Sequence, residues 1–130
     1  MQGREIEIHD STIDQVKLDG STAILHFTAV YIYPVNNHMK GGWRQEAEIR
    51  IGNARIEGEF SEESRAAHGG EHVLADGHFR LNAAVYRNTI PLPLDVQGEV
   101  ELRMKCWGHE VRVLGHSAKV ELIGKAREAR

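Results

Sequence analysis

Apolar and polar residues alternate along most of this chain, and the alternation is clearest between Gly98 and Cys106. There every second residue after the glycine is apolar, and the residues between them are charged. Because successive side chains of a β-strand point to opposite faces, this pattern predicts a strand with one buried face and one solvated face. Residues 107–110 predict a tight reversal, and two further alternating stretches, separated by a break at residues 115–117, predict the next strands.

The same period of two predicts strands nearer the N-terminus. Ile6 and Ile8 indicate a short first strand that a turn at residues 9–11 ends, and residues 12–18 indicate a weaker one. Residues 22–33 are apolar on both parities, which predicts a strand covered on both sides, either central or at a subunit contact. Three more strands are predicted at residues 43–51, 55–60 and 78–87.

Three segments depart from this alternation. Residues 61–67 form the one plausible helix, since Ser61 can cap it and two glutamates suit its positive first turn. Residues 90–94 contain two prolines, which lack an amide donor, so we expect an extended apolar segment at a sheet edge. Residues 125–130 are mostly charged and are expected to fray.

These segments make about eight to ten short strands, spaced roughly 8–12 residues apart, with at most one short helix. We therefore predict an all-β fold, an antiparallel β-sandwich that is jelly-roll-like in shape. Residues 1–130 are expected to form a single domain, because the length is ordinary for one domain and no linker divides it.

Composition and charge narrow the classes of partner. The formal net charge is −3 and basic residues alternate with acidic ones, so neither nucleic acid nor an anionic membrane is expected as a partner. The single cysteine cannot form an internal disulfide, and the first residues contain no apolar run. We therefore expect a cytoplasmic protein.

Eight histidines raise the question of a metal site. The densest group lies in a loop at residues 68–78 and contains His68, His72 and His78 with two carboxylates. Such ligands could bind Zn²⁺ with an open position, although the glycine pair between His68 and His72 argues against a helix that would align them. The preferred interpretation is a polar surface loop without a cofactor, and a metal-dependent protein is the alternative.

A second candidate site lies around the loop at residues 34–42. Tyr31, Tyr33, His38 and Trp43 bracket or occupy this loop, and loops on a rigid β-scaffold commonly carry recognition. Aromatic side chains next to a glycine-rich loop could stack on a sugar or hold a peptide. The competing interpretation, which we favour, places the tyrosines and the tryptophan in the core or in a dimer contact.

Catalytic motifs are weak. His9, Asp10 and Ser11 contain the residue types of a hydrolase triad, but neighbours along a chain do not generally converge on one another. Cys106 shares its parity with the apolar residues before it, so we predict a small buried residue rather than a nucleophile. No catalytic residue is therefore assigned.

Segments at both ends of the chain resemble small uncharacterised bacterial proteins of similar length. These segments are residues 8–13, 111–115 and 120–124. The resemblance implies an all-β fold and a bacterial cytoplasmic origin, and it supplies no catalytic residues.

The sequence thus favours a non-catalytic binding or protein-interaction domain. We expect its contact surfaces at residues 34–42 and 90–94, and an apolar edge of this kind makes self-association plausible. The alternatives are a metal-dependent enzyme or metal-binding protein that uses residues 68–78, and a carbohydrate-binding module.

Overall fold

A computed structural model of the protein describes residues 3–35 and 41–128, most of which lie in β-strands. The elements in chain order are β1 (Arg4–Asp19), β2 (Thr22–Pro34), β3 (Trp43–Gly52), β4 (Arg55–Gly58), α1 (Glu62–Ala67), β5 (His72–Val73), β6 (Asp76–Leu81), β7 (Ala84–Arg87), β8 (Thr89–Leu92), β9 (Asp95–Cys106) and β10 (His109–Glu128). No helix in these two stretches is long and apolar enough to cross a membrane.

The strands pair antiparallel in the order β5-β1-β2-β3-β10-β9-β6-β7, with β4 added to β10 and β8 added to β1. The sheet curls so far that the segment between β5 and β6 bridges β1 and β9. The amide of Leu74 donates to the carbonyl of Ser11 on β1 (2.9 Å), and the amide of Ala75 donates to the carbonyl of Lys105 on β9 (2.8 Å). The predicted all-β, antiparallel, sandwich-like architecture is confirmed.

The inner face of the curled sheet encloses the hydrophobic core. Its largest fully buried side chains are Phe79, Ile6, Ile8, Ile13, Leu25, Ile32, Ile49, Ile51, Leu74, Ile90, Leu102 and Met104. Since burying one such side chain stabilises the fold by about 1.5–3 kcal/mol, this cluster is the main source of stability. The buried face predicted for β9 is confirmed, because its apolar residues from Val100 to Cys106 are all buried. The opposite face is not fully solvated, since Glu101 is also buried, with His78 and Arg112 as hydrogen-bond partners.

β1 and β10 are much longer than the short strands predicted from the sequence. The expected turn at residues 9–11 is a bulge inside β1, where Asp10 has a φ of 70°. The expected break at residues 115–117 is a register shift inside β10. A bulge bends a strand and interrupts its pairing without ending it. The two predicted strand ends are therefore wrong, although both positions are sites of bending.

β2 is the central strand predicted from its sequence, but for a different reason. In the first half of β2 the buried residues Leu25 and Phe27 stand at odd positions, whereas in the second half Val30 and Ile32 are buried at even positions. A register shift between Phe27 and Val30 inserts a residue, which exchanges the faces that the two parities occupy. Apolar residues of both parities therefore reach the same core, and this exchange explains the pattern without a second cover.

The helix and one hairpin turn agree with the sequence. α1 covers Glu62–Ala67, and the Ser61 hydroxyl oxygen accepts a hydrogen bond from the amide of Ser64 (3.0 Å), as a helix cap does. Trp107 and Gly108, with φ values of 52° and 76°, make a two-residue turn between β9 and β10. A turn of this kind requires positive φ at both positions.

Two predictions, one about residues 90–94 and one about the C-terminal segment, need correction. β8 lies at an edge and pairs with β1, as its prolines predict, but the side chains of Ile90, Leu92 and Leu94 are buried in the core. They therefore do not form the exposed apolar contact surface that we expected. The C-terminal segment does not fray through residue 128, because Arg127 and Glu128 pair with β3. Residues 129 and 130 lie outside the described part of the chain.

Candidate binding groove

Three irregularities in the sheet coincide across β1, β2, β3 and β10. Residues 8–11 of β1 lie opposite Val30, residues 28–29 of β2 lie opposite Glu46, and residues 124–126 of β10 lie opposite Gln45. The surplus residues of each bulge bend their strand, so the surface is hollowed where the bulges meet. This hollow is a groove of about 550 Å³, which we call the bulge groove.

Specific hydrogen bonds hold the bulges in shape. The side-chain amide of Gln45 donates to the carbonyl of Gly124 (2.8 Å), which itself has a φ of 71°. On β1, the backbone amide of Asp10 donates to the carbonyl of Leu74 (2.9 Å), and the amide of His9 donates to Oδ1 of Asn88 (2.8 Å). Backbone groups released from the strand ladder thus find new partners, which keeps the groove in a defined shape.

Neutral hydrogen-bonding residues form part of the lining of the bulge groove. The hydroxyls of Thr12 and Thr28 lie 2.6 Å apart and hydrogen-bond each other, and Tyr31 and Gln45 line the groove next to them. Hydroxyls can both donate and accept, and the side-chain amide of glutamine can do the same. These residues therefore suit a hydrophilic ligand that carries hydroxyl or amide groups.

Charged residues also line the groove. They are Asp10, Glu46, Glu71, Arg44, Lys125 and Arg127. Two of the carboxylates have histidine partners, because Glu46 lies 2.6 Å from His26 and Asp10 lies 3.4 Å from His9. None of the three basic side chains forms an ion pair with a residue in the described ranges.

His26 connects the groove to the neighbouring strand surface. Its Nε2 lies 2.6 Å from Oε2 of Glu46, and its Nδ1 lies 2.5 Å from Oδ1 of Asp14. The hydrogen bond to Glu46, assisted by Asp14, raises the pKa of His26 above its ordinary value of 6.5, although partial burial opposes this. When His26 is protonated, both ring nitrogens donate, so its single positive charge is shared between the Asp14 and Glu46 carboxylates.

The described members of the four aromatic residues proposed as ligand contacts do not form one cluster. Tyr31 lines the bulge groove. Tyr33 is buried, and Trp43 packs against the core with the Arg4 guanidinium 5.1 Å from the centre of its ring. His38 lies outside the described residues. Of the three described contacts, only Tyr31 lines the groove.

The three histidines proposed as metal ligands are divided between two places. His68 and His72 both contact Ser64, whereas His78 lies 3.1 Å from the buried carboxylate of Glu101. Burial raises the pKa of Glu101, but the bonds from His78 and Arg112 outweigh it and hold the pKa below its ordinary value. Within residues 3–35 and 41–128, no group of three or more His, Cys, Asp or Glu side chains is arranged to hold a metal ion.

His72 lies at a second cavity, of about 370 Å³, beside α1. Its Nδ1 is 3.2 Å from the Ser64 hydroxyl, which is 3.0 Å from the Cys106 thiol, and its ring packs on Phe60 with centroids 4.6 Å apart. Burial, assisted by the nearby charge of Arg65, lowers the pKa of His72. Ser64 and Cys106 are 0% exposed. Neither can reach a substrate in this arrangement, which instead fastens α1 to β5 and β9.

The basic and hydroxyl residues of the groove were not singled out from the sequence. Arg44, Lys125 and Arg127 belong to segments that look like solvated charged strands, and Thr12 and Thr28 look like ordinary strand residues. One signal was available, namely the apolar residues at both odd and even positions of residues 22–33, which reflect the bulge inside β2. A single bulge does not show that its neighbours align with it, so the groove itself was not predictable.

Comparison with known proteins adds no identification, because no family model, curated protein or solved structure matches this chain. Its function has to be inferred from the geometry and chemistry of the groove.

Proposed function

We propose that this protein is a non-catalytic binding domain and that the bulge groove holds a small hydrophilic molecule. The observation that carries this proposal is the alignment of three bulges across four adjacent strands. Each bulge sacrifices regular pairing, and bulges concentrate next to functional sites in β-proteins. Three of them at one place hollow out a surface that a regular sheet would leave flat.

The lining of the groove also supports binding rather than chemistry. Its hydroxyl, amide and charged side chains can orient a ligand, while the serine and cysteine of the Ser64–His72–Cys106 cluster are sealed inside the fold. Tyr31 adds an aromatic ring at the groove, as a carbohydrate-binding site requires for stacking on a sugar.

An NMR titration tests the proposal. Backbone amide shifts are recorded while a panel of neutral, anionic and cationic hydroxylated molecules is added one at a time. We expect compounds that bind to shift the resonances of residues 28–31, 44–46 and 123–127 together. Ala29→Phe places a large ring in the groove and should abolish these shifts, because Ala29 lines it.

Ala66→Phe is the matched control, since Ala66 is exposed on α1 and does not line the groove. This variant should bind as the wild type does. If no compound moves the groove resonances, or if Ala29→Phe binds normally while remaining folded, the proposal is wrong.

Self-association through β7 is a second candidate. β7 ends the strand order, and its Val85 is 53% exposed. An apolar side chain on an edge strand favours pairing with another strand. Sedimentation velocity should then show a concentration-dependent dimer that Val85→Lys removes, and a monomer at all concentrations would contradict this candidate.

A further inference from the structure

Two arginines lie directly opposite each other on neighbouring strands at the bulge groove. Arg44 of β3 pairs with Arg127 of β10, and Lys125 lies two positions before Arg127 on β10. Side chains in such a pair lie on the same face, and like charges directly opposite each other destabilise a sheet. Local arrangements that oppose stability are expected mainly at functional sites. The three cations therefore indicate a site built for an anion.

The carboxylates of the groove form no ion pair with these cations among the described residues. His26 engages Glu46 at 2.6 Å, and His9 lies 3.4 Å from Asp10. Glu71 is then the one groove carboxylate without an ion-pair partner among the described residues. The lining therefore holds three basic and three acidic side chains, and the three basic ones have no ion-pair partner among the described residues, although the whole chain has a formal net charge of −3.

Neutral groups lie within the same groove. Thr12, Thr28 and Tyr31 carry hydroxyls, whereas the amide nitrogen of Gln45 already donates to the carbonyl of Gly124. A simple inorganic anion would need only the cations, whereas lining hydroxyls suit a ligand with hydroxyl groups of its own. The two kinds of lining residue together fit a molecule that carries both an acidic group and hydroxyls.

We propose that the ligand of the bulge groove is an anionic, hydroxyl-bearing small molecule, such as an acidic sugar. Its carboxylate or phosphate lies between Arg44 and Arg127, and its hydroxyls bond the threonine and tyrosine side chains. Arginine presents a planar fork of donors that matches either acidic group. This inference rests on the proposed function of the groove and adds the chemical class of its ligand.

Matched sugars test the inference by NMR titration at low salt. Glucuronate and glucose 6-phosphate carry the acidic group as a carboxylate or a phosphate, while glucose is neutral and glucosamine is cationic. We expect at least one acidic sugar to bind about tenfold more tightly than glucose, since one well-placed charge-assisted pair corresponds to roughly that factor. The tighter of the two acids identifies the preferred acidic group.

Charge-removing variants locate the acidic group. Arg44→Gln and Arg127→Gln should each weaken binding of the acidic sugar about tenfold and leave the affinity for glucose unchanged. Each should also raise the thermal midpoint of the free protein, because it relieves the like-charge pair. Lys119→Gln is the control, since it removes the same charge from an exposed position of β10 outside the groove.

The outcomes separate this inference from the function on which it rests. If glucose or glucosamine binds the groove as tightly as the acids, the inference is overturned and the binding function stands. If Lys119→Gln weakens the acids as much as Arg127→Gln, the attraction is a general charge effect and the inference is again overturned. If none of the four sugars shifts the groove resonances, the inference is overturned together with its support for a sugar-binding function.

Discussion

His26 and His72 both lie next to β1, yet their imidazoles have opposite surroundings. His26 is on the outer face between the carboxylates of Asp14 and Glu46, which raise its pKa. His72 is buried against Phe60 and the Ser64 hydroxyl, and burial lowers its pKa. The charged form is favoured at one site and the neutral form at the other. Counting histidines therefore says little about what each one does.

The largest expected difference between the two sites is in stability. His72→Ala should lower the free energy of unfolding by about 2–3 kcal/mol, because it leaves a cavity beside Phe60 and removes a partner of Ser64. His26→Ala should cost roughly 0.5–1 kcal/mol, as expected for partly exposed ion pairs. Urea denaturation measures both values.

His68→Ala is the control for His72→Ala, because His68 also contacts Ser64 but is only half-buried. Its cost should lie clearly below that of His72→Ala. If His26→Ala and His72→Ala lowered the free energy of unfolding equally, the predicted energetic difference between the two environments would be wrong.

The dependence of stability on pH should have opposite signs at the two histidines. The folded pKa of His26 is raised, so its stabilisation is complete below pH 6.5 and is lost as the pH rises through the folded pKa. The folded pKa of His72 is lowered, so its stabilisation is present above pH 6.5 and is lost as the pH falls through the folded pKa.

Urea denaturation across this pH range, repeated on single variants, separates the two contributions. His72→Gln should reduce the loss of stability on acidification, and His26→Gln should make that loss steeper. His116→Gln, on an exposed residue of β10, serves as the control and should follow the wild type. A variant series in which both changes act in the same direction would contradict the comparison.

The salt dependence of stability should show the smallest difference between the two histidines. Raising NaCl from about 0.1 M to about 1 M shortens the screening length from about 10 Å to about 3 Å. The contribution of His26 depends on exposed charges and should weaken by a few tenths of a kcal/mol, whereas the packing of His72 should not change. Measuring the loss of unfolding free energy in His26→Ala and in His72→Ala at the two salt concentrations tests this expectation. A loss that depends on salt at His72 but not at His26 would contradict it.

Much of the fold was predictable from the alternation of apolar and polar residues. The burial of Val100 to Cys106, the position of α1 and the turn at Trp107 and Gly108 follow from local patterns that tertiary contacts did not override. The lengths of β1 and β10 were not predictable, because Asp10 and Gly115 are residue types that suit a turn and a bulge equally well.

The candidate site was less predictable from the sequence than the fold, because it depends more on tertiary structure. Tyr31 was proposed as a contact from its place beside a loop, but its partners in the groove come from four separate strands. The pairing of Arg44 with Arg127 joins residues far apart in the chain. Register decides this pairing, and a shift by one residue would place either arginine on the other face of the sheet.

By itself the sequence determined that this chain forms antiparallel strands around an apolar core, because a period of two buries one face of each strand wherever it occurs. The sequence also marked residues 9–11 as a point where the chain turns. Only the tertiary structure decided that three bulges align to hollow out one groove, and that His26 and His72 receive opposite surroundings. Both outcomes depend on which strands become neighbours. Pairing between distant segments determines this, and the spacing of residues along the chain does not reveal it.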